Sequence, residues 1–491
     1  MRSTMPKRLC ATLHFLLPFA LPTRPHAPDG GAAFADAATY DAHAEDTSSS
    51  RTVSFASDAA TVHDTGDLAV PGVGSPAHDA RRAQADTAAA LAGAERALRA
   101  LLTARETPAF DTLLRRARLI DSDTGDDYQR SLPHERWLSR RYGLPPIHAA
   151  QDAPLAPFMM LADGLDPSAM AADPDRTIDE AGAMASGGVV QWACLEPAHI
   201  EVTHDRLVLA HPQTLGIDAT EATHLAEEIA TSATARGLYF VAPSPTRWYL
   251  GERRGTLLAG LHGASPLRAA GRSIDIWLPV DETQADAEGV APRSSRWMGF
   301  QTELQMAWHA HPVNTMREAR GARAVNAVWL HGRGTWPPPA IPDAPFSITF
   351  ADAAAARGLS IAAGRPARPL PANFAALCAG LRESGHVADT PNPDEARRTQ
   401  GGAGDSPPQT ILIQTDALSL PMIDEDWRSW LDAFAALDQS WFAPALQALR
   451  EHVIDEIRLT PCGEQAAKTL SIRRGDLLAF WRRRTFAGLL S

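Results

Sequence analysis

The chain has 491 residues, a formal charge of -12 at neutral pH, and 45% hydrophobic residues including 12 tryptophans. That is enough apolar material for one large domain or several modest ones around genuine cores. The acidic balance excludes an extended nucleic-acid surface, which needs local positive charge against phosphate, and no apolar run approaches the roughly 20 residues of a membrane span. Cys10, Cys194, Cys378 and Cys462 are far apart and form no C-x-x-C pair, which predicts free buried thiols in a reducing, cytoplasmic setting.

In chain order, Lys7 and Arg8 precede an apolar run that resembles a leader peptide. His14 and Pro18 interrupt it and no small-x-small site follows at once, so residues 13–17 are expected to form a first β-strand. Residues 22–86 carry more acids than bases and few large apolar side chains. Such a segment buries too little to offset its ordering entropy and is expected to be a disordered insertion. Residues 87–118 read as helical, with Leu91, Leu98, Leu101 and Leu102 in one stripe and a break at Pro108. Residues 121–127 form a polar stretch, 155–162 a short apolar element and 163–187 a loop.

From residue 189 the pattern turns α/β. Residues 189–195 read as a strand, Ile200 and Val202 alternate with polar neighbours, and His204-Asp205 offers a turn into residues 207–209. Asp218 followed by Glu221 is a capping-box start for a helix through Leu225 and Ile229, which Gly237 stops. A strand at 238–241 follows, then a loop held by Pro243 and Pro245 before Trp248, and a polar linker at 281–296.

The most informative stretch is 297–336. Phe300, Leu304 and Ala307 or Trp308 share one helical face, and Pro312 disfavours helix at the residue before it. A polar turn is expected next, carrying Asn314, Arg317 and Arg320, with Gly321 free to take a positive φ. Residues 325–330 read as a buried strand emptying into a Gly-rich loop, His331-Gly332-Arg333-Gly334. Donors at the carboxyl end of a buried strand are where open α/β sheets place ligands. Asn314, Arg317, Arg320, Asn326, His331 and Arg333 are therefore candidates to bind a small phosphorylated or carboxylated molecule. The competing reading has the asparagines capping turns and the arginines pairing with surface acids.

Beyond 337–339, a stiff triple proline, residues 348–350 read as a strand, followed by an Ala-rich helix and an apolar segment at 374–381. Residues 386–408 look like a second disordered loop and 410–414 like a strand. Asp424 is expected to open a helix with Trp427, Trp430, Leu431 and Phe434 on one face, with a second helix over 441–453. Strands at 454–459 and 470–473 precede a last helix capped by Asp476 and holding Leu477, Phe480 and Trp481. The organisation expected is a first strand (1–21), the insertion, a main α/β region (87–385), a loop, and a C-terminal segment (409–491) completing the core. The fold class is α/β, with a mixed, mostly parallel sheet flanked by helices.

Metal and nucleophile signals are sparse. His309 and His311, near Glu303, are weak ligand candidates without a third or fourth partner. Glu196, His199, Glu201 and His204 read best as the wet face of a hairpin. No His-Glu-x-x-His, phosphate-loop or nucleophile-elbow pattern is present.

Six segments carry a resemblance: LHFLLPFA at 13–20, WACLEPAH at 192–199, SPTRW at 244–248, QTELQM at 301–306, HPVN at 311–314 and WRR at 481–483. They resemble the proteobacterial RpfE-type regulatory proteins over most of the ordered chain, which implies a regulatory association. His311 to Asn314, Arg317, Gly321, Val325, Asn326 and residues 331–334 are also similar to a segment of archaeal-type, cofactor-independent phosphoglycerate mutases. That likeness implies an alkaline-phosphatase-like ancestry and a substrate site near Asn314, Arg317 and Arg333. Those mutases carry an Asp-Gly after the first strand, a Ser nucleophile and late Asp-His clusters. Here the first strand meets Pro18-Phe19-Ala20 and the late strand meets Thr415-Asp416-Ala417. The leading expectation is a regulatory or ligand-sensing protein with a degenerate mutase-like site and no cofactor. The alternatives are an active mutase or phosphatase with Mn or Zn, and an interaction scaffold built on the Trp427/Trp430 helix.

Overall fold

The structure, a computed structural model, describes residues 11–22, 92–171 apart from 94, 95 and 97, 189–281 apart from 204 and 205, 291–383 apart from 341, and 409–490. The disordered segments expected at 22–86 and 386–408 lie outside the described residues, apart from Pro22. The chain divides into two compact units, residues 24–105 and the rest. In the smaller unit residues 98–104 are helical, with Leu98 and Leu101 buried. All elements described next belong to the larger unit.

Its strands are β1 (Ala11–Leu17), β2 (Arg118–Thr124), β3 (Val190–Val202), β4 (Leu207–Ala210), β5 (Tyr239–Ser244), β6 (Arg247–Glu252), β7 (Leu261–His262), β8 (Val280–Asp281), β9 (Ala327–Trp336), β10 (Ile348–Ala351), β11 (Ala367–Arg368), β12 (Gln409–Gln414), β13 (Glu456–Pro461) and β14 (Ala466–Arg473). The main sheet has the order β11-β10-β12-β1-β13-β14-β2. Its first five strands run parallel, while β14 runs antiparallel to both its neighbours, β13 and β2. The expected mixed, mostly parallel sheet flanked by helices is the architecture found.

β1 lies at the centre of this sheet and every one of its residues is buried, as its unbroken apolar run requires of a strand covered on both faces. His14 is tolerated there because its Nε2 pairs with Thr460 Oγ1 at 2.8 Å. Burial, with Arg141 and Arg458 nearby, holds its pKa well below the usual value and favours the neutral ring.

The second sheet is antiparallel and built on β3, whose 13 residues pair with β6 and β4 on one side and β9 on the other. Side chains alternate along a strand. Ala193 and Leu195 pack with Trp248, Leu250 and Leu330 under two long helices, and Val190, Trp192 and Cys194 face the core shared with the main sheet. Two helices lie over 108–141, α1 (Pro108–Arg116) and α2 (Pro133–Arg141), followed by α3 (Ala156–Ala162). The long covering helices are α4 (Ala219–Ala235) and α5 (Arg293–His309). Leu225 and Ile229 of α4 meet Phe300, Leu304 and Trp308 of α5, the stripe expected from the sequence.

Several expectations need correction. Residues 312–319, expected as a turn, form helix α6 (Pro312–Ala319), because Pro312 starts a new helix with His311 as its cap as well as ending the old one. His331-Gly332-Arg333-Gly334 is not a loop after a strand but part of β9, since residues 190–198 of β3 supply the ladder that holds it. Residues 118–124 form edge strand β2, whose Asp121 and Asp123 pair with Arg140 and Arg136. After α7 (Ala354–Ala362) and α8 (Phe374–Glu383), helix α9 (Trp427–Leu437) is capped by Asp426 rather than Asp424. Its Trp430 is buried and donates through Nε1 to Phe19 O at 3.1 Å, so that ring belongs to the core. The last expected helix is a short 3-10 turn at Arg474–Leu478, leaving Phe480 and Trp481 exposed. No helix of the described residues is long and apolar enough to cross a membrane.

Candidate functional site

The carboxyl ends of parallel β10 and β12 open into a cavity of about 140 Å3. Ala353 to Ala355, at the start of α7, and Gln414 and Asp416, at the end of β12, line it from the main sheet. His134 and Glu135 come from α2, Asp152 and Met159 from the segment leading into α3 and that helix itself, and Glu196, Arg247, His331 and Gly332 from the second sheet. This is the strand-end position at which α/β sheets bind small ligands.

The titratable groups here are shifted by identifiable causes. Glu135 accepts from Leu132 N at 2.7 Å, yet burial raises its pKa overall. Burial, helped by Arg136, lowers His134 to about 3. Burial also lowers His211, whose Nδ1 accepts from Gln213 N at 3.2 Å. Asp416 is lifted to about 6 by burial; Gln414 opposes this and Asp352 adds to it. Arg247 is held charged by Asp163, which outweighs burial and also accepts from Tyr249 Oη at 2.6 Å.

One wall is fixed by Asp152. Its Oδ2 accepts from Gly332 N at 2.6 Å and its Oδ1 lies 3.1 Å from His262 Nδ1. Arg333 supports that histidine from behind: Nη2 is 3.2 Å from His262 Nε2, Nη1 donates to Gln191 Oε1 at 2.7 Å, and Nε donates to Leu261 O. Gly332 has φ 72°, and a Cβ there would stand 3.1 Å from Ala156 N. Both its φ and its closeness to α3 require glycine.

Deeper in the same wall, Cys194 and His331 are paired across the β3–β9 ladder, and Glu196 is two residues beyond Cys194 on the same face. One ligand atom from each lies within 4.8 Å of the other two. His331 Nε2 is 3.0 Å from Glu196 Oε1. Burial raises the Cys194 pKa, which keeps it a thiol. Burial alone would lower His331, but Cys194 and Glu196 outweigh it and hold this ring well above its usual value. Sequence reasoning selected His331 but set Glu196 aside as a wet hairpin residue and gave Cys194 no role. The spacing of Cys194 and Glu196 was the available signal; their pairing with a strand some 130 residues later was not.

The other candidates occupy different places. Asn314 is a buried residue of α6, donating to Trp308 O and Val325 O and accepting from Val325 N, each at 2.8 Å. Arg317 is wholly buried against Glu221, and half-exposed Arg320 reaches the same carboxylate. Asn326 exchanges two hydrogen bonds with the backbone of Ile200, extending the ladder beside β9. His309 is exposed at the end of α5, and His311 accepts from Val313 N at 3.2 Å as the α6 cap. The structure thus brings His331 to the cleft, puts Arg333 behind its wall, and gathers Asn314, Arg317 and Arg320 around α6.

No family model and no curated protein matches the chain. Among solved structures it is similar to the PH0037 protein from Pyrococcus horikoshii, at 12% identity and a TM-score of 0.37, covering 78% of this chain and 84% of that one. It is also similar to the cofactor-independent phosphoglycerate mutase from Thermoplasma acidophilum DSM 1728, at 12% identity and a TM-score of 0.31, covering 76% and 84%.

Proposed function

We propose that this is a phosphoglycerate-mutase-like α/β protein of alkaline-phosphatase-like ancestry whose cleft binds a small phosphorylated or carboxylated acid as a sensed, regulatory ligand. The observation that carries the reading is the cleft itself: a cavity at parallel strand ends, lined by Arg247, His331, His211 and Gln414 among shifted carboxyl groups. Turnover by the mutase route needs acidic metal ligands at the strand ends. Buried Phe19 follows β1 and Gln414-Thr415 closes β12, so neither end supplies the Asp-Gly or Asp-His pattern. Arg333 acts in this reading by holding His262 and Asp152 in place.

One observation favours an enzyme instead. Glu135 and Asp416 face one cavity with raised pKa values, as general acids do. The test is thermal unfolding with phosphate, 2-phosphoglycerate and 3-phosphoglycerate, alongside a coupled interconversion assay with Mn, Mg, Co and Zn supplied in turn. Stabilisation without turnover supports a sensed ligand. Metal-dependent turnover overturns the sensing role in favour of a mutase, and no stabilisation by any of the three anions removes the ligand reading.

A further inference from the structure

We propose that Cys194, Glu196 and His331 bind one zinc-like divalent ion, with its remaining coordination position turned toward the cleft. The donor set comes first. A thiol, an imidazole and a carboxylate on one face of a two-strand ladder become, once the ion displaces the protons of the first two, the ligand types zinc takes, and three protein ligands with one open position is the pattern of its reactive sites. The geometry is within reach of closure. Ligand atoms on a tetrahedral ion stand about 3.3–3.7 Å apart, given bonds of about 2.0–2.3 Å. Here all three atoms already lie within 4.8 Å of one another, and one pair is at 3.0 Å.

The access is also right. Glu196 and His331 line the cavity while Cys194 lies fully buried behind them, so an ion among the three would face the cleft on one side only. For the same reason the thiol is not placed to attack a molecule in the cavity. The ladder and the Asp152–Gly332 bond hold the backbone around His331, so the trio is fixed before any ion arrives.

The cavity is lined by carboxyl groups of Glu135, Asp152, Glu196 and Asp416 against the cations Arg247 and His331. A divalent ion held by Cys194, Glu196 and His331 would replace the thiol and imidazolium protons, leaving the local charge unchanged, and would offer the anion a direct bond at its open position. This second step rests on the ligand reading given under Proposed function; the metal site does not.

The test is metal binding by the full chain after chelation, with Co as a spectroscopic probe and Zn for stoichiometry. Wild type is expected to bind one equivalent and, with Co, to show a thiolate-to-metal charge-transfer band. Cys194→Ser should lose that band. Glu196→Gln and His331→Gln should each weaken Zn by more than the roughly 10- to 100-fold typical of outer-shell partners. Thermal unfolding of each apo variant checks that it is folded, and Cys194→Ser changes the wall least. Folded wild type that binds no metal overturns the site, as does a charge-transfer band or full stoichiometry persisting in Cys194→Ser. Phosphate then separates the two ideas. Stabilisation that disappears on chelation supports an anion bound to the ion, and equal stabilisation with and without metal overturns that step alone. Metal binding without any phosphate or phosphoglycerate effect overturns the ligand reading and leaves the metal site standing.

Discussion

Arg317 donates through Nη1 to Glu221 Oε2 at 2.6 Å in the interior of the molecule, with no part of the arginine side chain exposed. Its other donors reach Leu215 O and Arg323 O, which ties α4, α6 and the loop after α6 together. Removing Arg317 leaves the buried Glu221 with only half-exposed Arg320 as a cation partner, at a cost of up to about 3–5 kcal/mol. Arg317→Ala should therefore lower stability to urea by about that much, while Arg320→Ala, at an exposed partner of the same glutamate, should cost under about 1 kcal/mol. Equal small losses would show that Arg317 is not a structural tie. Phosphate-induced stabilisation of the cleft should survive Arg320→Ala.

Gly358 lies in α7 where that helix crosses α3, and a Cβ there would stand 1.7 Å from Phe158 O. No side-chain rotation relieves a clash with backbone, so the helices must separate. Gly358→Ala should cost more than the ~1–3 kcal/mol usual for overpacking, measured by urea unfolding. The two helices and the residues that open them also carry Leu155, Met159 and Ala353 to Ala355 around the cleft, so its ligand response should weaken as well. A variant as stable as wild type would contradict the closeness of that crossing.

The sequence made the local structure readable and left the site obscure, and particular residues show why. The apolar run at 13–17, the Asp218–Glu221 box and the Phe300–Leu304–Trp308 stripe express local periodicity and capping, and each appears in the structure. Arg317 looked like a ligand donor because sequence shows a cation without showing that Glu221 meets it in the core. The cleft is assembled by pairings remote in sequence: β3 with β9, β1 with β12 and β13. Cys194 and Glu196 acquire meaning only when that register puts His331 opposite them.

Glu252, almost wholly buried, gathers the backbone of the loop that follows β6. Leu257 N donates to it at 2.9 Å and Leu258 N at 2.6 Å, and Thr256 reaches it through both its backbone N–H and its hydroxyl. A carboxylate held by several charge-assisted hydrogen bonds is worth more than one neutral contact. Glu252→Ala leaves the buried N–H groups of Leu257 and Leu258 unmatched, each costing about 1–3 kcal/mol, while exposed Thr256 can turn to water. The variant should unfold at markedly lower urea, with Glu252→Gln intermediate. If Glu252→Ala matched wild type, the loop would have to draw its order from elsewhere.

Asp416 supplies the clearest pH dependence. It follows β12 at the cleft floor, partly buried, and burial lifts its pKa from 3.8 to about 6, opposed by Gln414 and Arg357 and reinforced by Asp352. The folded chain therefore holds this proton more tightly than the unfolded chain across that interval. The stability the group contributes is complete below about pH 4 and is lost as pH rises through about 6, where the partly buried carboxylate must ionise. Asp416→Asn cannot ionise and keeps a similar shape. It should gain stability relative to wild type as pH increases from about 4 to 7, with the difference levelling off above that range. Urea unfolding of both proteins across the interval measures this directly. Parallel pH profiles would mean that the Asp416 carboxyl titrates as it does in the unfolded chain. The opposite slope would mean that a cation lies closer to it than Asp352.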